Sequence, residues 1–163
     1  MCIATIIGFI SLATTFLMVS IVGNSTLSAM LDPSSATFVI GGTMAALFIS
    51  FPLKDIIDLP LNCLGYAIVP PKARNATIDY RLSVGIESYR RAGTYAFAVG
   101  WIGILLGIVI MAQHVADWSV GTLGRALSLC TLTALYGSMI SYLFCLPIRT
   151  KLARIQAEIE TAE

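Results

Sequence analysis

The run Ala92–Gln113, AGTYAFAVGWIGILLGIVIMAQ, contains no Asp, Glu, Lys or Arg. About 20 mostly apolar residues, each rising about 1.5 Å in a helix, cross the hydrocarbon of a bilayer. Water is absent there, so the backbone must satisfy itself, and a helix does so within one segment. This stretch reads as a membrane span. Three more charge-free stretches, Met1–Leu31, Pro33–Leu53 and Ala126–Ile148, read the same way. The expected fold is all-α and integral to the membrane. Its four transmembrane helices are expected near residues 3–22, 35–51, 95–112 and 126–146. They form a single membrane domain over 1–163, with a loop over about 53–93 and a tail over 149–163.

Composition points the same way. The 163 residues are 57% hydrophobic and 12% charged, with a mean hydropathy of +0.86, whereas a soluble domain carries about 25% charged residues. A net charge of +1 gives no excess that would draw nucleic acid or an acidic substrate. The first apolar stretch lacks a basic leader and exceeds the apolar core of a signal peptide, so it reads as a true helix. Cys2, Cys63, Cys130 and Cys145 show no paired spacing and read as small apolar filler.

Lys and Arg set the orientation. Lys54, Lys72, Arg74, Arg81, Arg90 and Arg91 lie between spans two and three, and Arg149, Lys151 and Arg154 follow span four. The opposite side holds only Arg125. Both termini and the middle loop are therefore expected in the cytoplasm, with the loops around Asn24 and Asp117 outside. Asp32-Pro33 opens span two, where Asp suits an N-cap and Pro the first helical position; a role for Asp32 in attracting ions stays open beside the cap. Pro70-Pro71 splits the loop. Ile78, Leu82, Ile86 and Tyr89 recur at helical spacing after it, and this second loop helix is expected to end on Arg90-Arg91, just before Gly93. The tail is expected to extend span four as a short polar helix.

The spans carry no acidic or basic residue, although a proton relay ordinarily needs an ionisable group within the membrane. His114 sits at the outer end of span three and reads as interfacial. If ions cross here, another chain must supply the carrier. The spans are instead rich in small residues. Ala96, Gly100, Gly103 and Gly107 share one helix face, a pattern that lets a neighbouring backbone approach. Span four carries Ser128, Thr131, Ser138 and Ser141, with Thr133, Tyr136 and Gly137 beside them. Helix packing and a hydroxyl-lined path both account for these residues. No nucleophile elbow, HExxH or phosphate-binding glycine loop is present, so an enzyme is not expected.

Four patches, Ile3-Ala4-Thr5-Ile6-Ile7-Gly8; Met30-Leu31-Asp32-Pro33-Ser34-Ser35 with Val39-Ile40-Gly41-Gly42-Thr43; Gly100-Trp101-Ile102-Gly103-Ile104-Leu105-Leu106-Gly107-Ile108-Val109; and Leu132-Thr133-Ala134-Leu135-Tyr136-Gly137 with Pro147-Ile148 and Lys151-Leu152, stand in this order along the chain. Together they resemble the MotA/TolQ/ExbB proton channel family, and among its members the MotA/PomA flagellar stator subunits. The resemblance implies a homopentameric ring in the bacterial inner membrane. The ring would surround a single-span partner similar to MotB, ExbD or TolR, whose transmembrane Asp binds and releases the ion. It also implies a pore or ring subunit of a proton-driven rotary motor. It places Phe97, Ile104, Thr133, Ala134 and Tyr136 along the ion pathway facing the partner. Gly100, Gly103, Gly107 and Gly137 would serve helix packing.

The chain also departs from the family pattern. Many relatives carry Pro where Phe97 stands, and sodium-using relatives carry Thr at the positions of Ile104 and Ala134. Ile104 offers no oxygen, and Thr133 lies about 100° round the helix from Ala134. A proton is therefore expected over sodium, with no cofactor. The insert that carries the rotor contacts of flagellar relatives is cut down. Arg90 aligns with a rotor-facing Arg, so Arg90 and Arg91 are candidates for cytoplasmic rotor contact as well as for interfacial anchoring. The alternatives are a non-conducting accessory subunit of such a complex, or an unrelated structural protein with four spans.

Overall fold

The computed structural model describes residues 31–53, 76–113 and 119–161, together with Ile10, Ser11, Thr14, Met18, Ile56, Cys63, Gly65 and Tyr66. All regular structure among these is helical. The chain divides after Pro33 into two compact units. In the first, Ile10, Ser11, Thr14 and Met18 are helical, and the Thr14 hydroxyl donates to the Ile10 carbonyl at 2.8 Å. The rest of the expected span 3–22 lies outside the described residues, as do Asn24, Pro70-Pro71, His114 and Asp117.

The second unit holds helix α1 (Pro33–Ser50) from its second residue on, helix α2 (Ala76–Gln113), helix α3 (Val120–Met139), a π-helical turn (Ile140–Cys145) and helix α4 (Leu146–Thr161). Among the described residues, three stretches are long and apolar enough to cross a membrane: Pro33–Ser50, Thr77–Gln113 and Gly121–Thr161. Helix α1 begins on Pro33, whose fixed φ and missing N–H suit the first position of a helix. It runs antiparallel to α2. A Cβ on Gly42 would meet the Val99 side chain, one on Gly103 would meet Phe38, and Ser50 Oγ lies 2.7 Å from Tyr95 Oη.

The second loop helix does not end at Arg90-Arg91. Helix α2 runs unbroken for 38 residues, about 57 Å at 1.5 Å per residue. The expected span 95–112 is only its upper part, and Gly93 lies within it rather than closing a helix. Gly costs a helix about 1 kcal/mol relative to Ala, but here packing uses the missing side chain. A Cβ on Gly93 would come 3.2 Å from Cys145 Cβ and 3.4 Å from Ser141 Oγ. The start of span four also shifts. Arg125 ended the charge-free run, yet α3 begins at Val120, where Ser119 caps it by accepting from the Thr122 N–H at 3.4 Å.

Helix α3 passes through the π turn into α4. The Leu146 N–H donates to the Ser141 carbonyl, five residues back. Pro147 explains the widening. It has no N–H, and its ring would collide with the carbonyl four residues earlier in a regular α-helix. Beyond the turn, α4 packs on the first half of α2. There Cys63, Leu82, Leu152 and Ile155 form a small buried core, flanked by Ile78, Ile86, Tyr89 and Ile148. The Cys63 thiol donates to the Arg81 carbonyl at 3.6 Å, and burial pushes its pKa up. This apolar core lies beyond the charge-free part of α2 and supports its extension.

Candidate ion-path and helix-seam residues

The seam between α2 and α3 is built from glycine. A Cβ on Gly137 would lie 2.5 Å from the Ala96 carbonyl oxygen and 3.0 Å from Gly100 Cα. One on Gly100 would lie 3.0 Å from the Thr133 carbonyl oxygen and 3.3 Å from Ala134 Cα. The two backbones touch here, which small residues alone permit. Above the crossing, a Cβ on Gly103 would meet Thr133 Oγ1 at 2.9 Å, and Gly107 faces the Cys130 sulfur. Gly85, far along α2, faces the Cys63 sulfur in the same way. Three cysteines thus cover three glycines, Gly85, Gly93 and Gly107, along one helix. The seam leaves no room for an ion to pass between α2 and α3.

The expected pathway residues separate into two groups. Thr133 is 8% exposed and turned toward Gly103. Its hydroxyl donates to the Cys130 carbonyl at 2.6 Å. Ala134 sits at the seam with a half-buried side chain. Phe97 and Ile104, seven residues apart, share a different face with Trp101 and Ile108. On that face Trp101 is 52% exposed and Ile108 48%, while Phe97 and Ile104 are half-buried. Phe97 packs edge-on against Trp101 at 6.1 Å and Tyr142 at 5.8 Å, a favourable aromatic geometry. Tyr136 is half-buried on α3. Ser128 and Thr131, read as part of a hydroxyl stripe, donate to the carbonyls of Gly124 and Leu127 in their own helix.

The charged end of α2 is organised around Glu87, which sequence reasoning passed over. Arg90 donates to both Glu87 oxygens, Nε to Oε2 and Nη2 to Oε1, each at 2.7 Å. Arg91 Nε donates to Oε1 at 2.7 Å. These bonds, Arg90's first, hold the Glu87 carboxyl at a pKa of about 2. The spacing of three and four residues was the available signal. Arg90 and Arg91 are therefore pinned along α2, with side chains 48% and 49% exposed.

Comparison with known proteins gives a consistent answer. A protein of Bacillus subtilis (strain 168), YtxD, is 26% identical over 208 aligned positions, covering 91% of this chain and 75% of its own. Motility protein A of Aquifex aeolicus is 23% identical, covering 93% and 82%. Chemotaxis protein PomA of Vibrio alginolyticus is 36% identical over 78 residues, which are 48% of this chain and 30% of that one. The 208 positions shared with YtxD draw on about 148 residues here, so about 60 of them have no counterpart in this chain. The fold matches that of the flagellar MotAB stator complex from Bacillus subtilis, with a TM-score of 0.75 at 19% identity, covering 95% of this chain and 83% of that one. The model of the MotA/TolQ/ExbB proton channel family matches residues 73–162, the stretch that holds the whole α2–α3 seam and α4. With its multi-pass helical membrane fold, the chain belongs to the MotA/TolQ/ExbB proton channel family.

Proposed function

We propose that the chain is the ring subunit of a proton-driven, stator-type rotary motor in the bacterial cytoplasmic membrane. One observation carries the reading: among the described residues, the helices long enough to span keep their carboxylates outside Pro33–Leu53, Ala92–Gln113 and Ala126–Ile148, each long enough to cross the hydrocarbon, and the seam between α2 and α3 is closed. A channel of this family built from such a subunit needs its ion carrier on another chain. That carrier is the transmembrane Asp of a single-span, MotB-like partner, seated where several copies of this chain converge. The face bearing Phe97, Trp101 and Ile104, on which Trp101 is 52% exposed, is the side offered to it. Nine Lys and Arg against one favour four spans with both termini in the cytoplasm. A pentamer around two partner helices is the assembly proposed.

The ion is a proton. Dehydrated sodium needs several oxygen ligands. Ile104 and Ala134 supply none, and the Thr133 hydroxyl is buried toward Gly103 and bonded to Cys130. Unbroken α2 at Phe97 favours a second reading, a non-conducting accessory subunit, because a Pro there would kink the helix. The complex purified with its single-span partner and reconstituted in liposomes separates the two. The motor reading expects acidification reported by an internal pH dye, unaffected when sodium is replaced by potassium, and abolished by Asp→Asn in the partner. Flux that requires sodium refutes the ion assignment. No flux from the intact complex favours the accessory role.

A further inference from the structure

Beside the π turn, α2 and α4 leave an open cleft of about 240 Å³. Arg90, Thr94 and Phe97 of α2 line it, with Tyr142 of the turn and Leu146 and Arg149 of α4. Its height in the membrane can be read from the chain. Arg90 and Arg91 immediately precede the charge-free run Ala92–Gln113, and Arg149 immediately follows Ala126–Ile148. The two helices run antiparallel, so both boundaries fall at one level, and the cleft opens where hydrocarbon meets water.

One side of the cleft is cationic. Arg149 has no acidic partner among the described residues. The two bonds from Arg90 to Glu87 use two of its five N–H groups and leave three. The other side is aromatic and aliphatic. Phe97 leads up to Trp101, 52% exposed, and Tyr142 and Leu146 are 55% and 46% exposed. A cationic floor under an apolar wall suits an amphiphile with an anionic head. Guanidinium groups match phosphate oxygens in geometry as well as charge, and anionic leaflets attract basic residues at this depth.

We infer that this cleft binds the phosphate headgroup of an anionic phospholipid, with Arg149 and Arg90 on the phosphate and an acyl chain lying over Tyr142 and Leu146. The inference rests on the membrane orientation used in the proposed function, and its test needs neither the partner nor ion flux. The test uses the full chain in zwitterionic detergent, titrated with short-chain phosphatidylglycerol or phosphatidylcholine. Binding is followed by tryptophan fluorescence and by native mass spectrometry of retained lipid. Phosphatidylglycerol should bind at least about tenfold tighter than phosphatidylcholine, and R149Q should lose about tenfold of that preference. R90Q should weaken it in the same direction. R154Q alters a guanidinium outside the cleft that is already paired to Glu158 at 3.0 Å, and it should leave the preference intact. Equal affinity for the two lipids, equal losses in R149Q and R154Q, or displacement of the lipid by millimolar inorganic phosphate would each overturn the assignment. So would a map of the assembly in which a second copy of the chain fills the cleft.

Discussion

Replacing Gly137 by Ala tests the seam directly. The new methyl would sit 2.5 Å from the Ala96 carbonyl oxygen and 3.0 Å from Gly100 Cα. An ordinary carbon–oxygen contact is about 3.3 Å or more, so α3 must retreat by about 0.8 Å at the crossing. A gap of that size forfeits a quarter to a half of each dispersion contact around it. Overpacking of this kind costs about 1–3 kcal/mol, offset by roughly 1 kcal/mol of gained helix propensity. The expected net loss is up to about 2 kcal/mol, which lowers the melting temperature of a chain this size by up to about 8 °C. Gly41 is the control, because a Cβ there meets nothing within 4 Å; G41A should be neutral or slightly stabilising. Both variants are melted as purified full chain in one detergent, followed by tryptophan fluorescence. If G137A melts with the wild type, or G41A loses as much, close backbone contact is not what holds α2 to α3.

Three further outcomes follow from the same geometry. The folded pKa of Glu87, about 2, lies below the roughly 4.3 of an unfolded glutamate. Its contribution is thus present above about pH 4.3 and fades as pH falls toward 2. E87Q should cost under about 1 kcal/mol at neutral pH, because the pair is more than a third exposed. Its deficit in melting temperature should shrink on acidification toward about pH 2, and a deficit undiminished there rules out the ion pairs as the cause. T133V removes a hydroxyl bonded within its own helix and should leave the ion dependence of flux unchanged; altered selectivity in the liposome assay would put Thr133 on the path. P147A restores an N–H and relieves the ring collision, so a structure of the variant should show regular α-helix through Ile140–Cys145. A surviving π turn would show that Pro147 does not cause it.

Much of the helical layout could be read from charge-free runs alone. The second span, expected at 35–51, is helix at Pro33–Ser50, and the row Ala96, Gly100, Gly103, Gly107 does lie against α3. Helix limits were less legible. Gly93 looked like a stop because glycine disfavours helix, but its contact with Cys145 and Ser141 depends on a residue pair 52 positions apart. Arg125 seemed to mark the start of span four, yet the capping hydroxyl of Ser119 sets it. Cysteines read as filler, and nothing local shows that Cys63, Cys145 and Cys130 each cover a glycine of the same helix. The turn at Ile140–Cys145 has a sequence cause in Pro147, but Pro in an apolar run equally permits a kink. The pathway residues were carried by resemblance, and only the fold separates the buried Thr133 from the half-buried Phe97 and Ile104 on another face.

The most direct measurement is a cryo-EM map of the complex purified from its native membrane with nothing added. The motor reading expects five copies of this chain around two helices of another protein. An Asp on those helices should lie at the level of Ile104 and Ala134, with the α2–α3 seam closed in every copy. A ring with no central helices, or a mixed ring containing a second homologue, would contradict it.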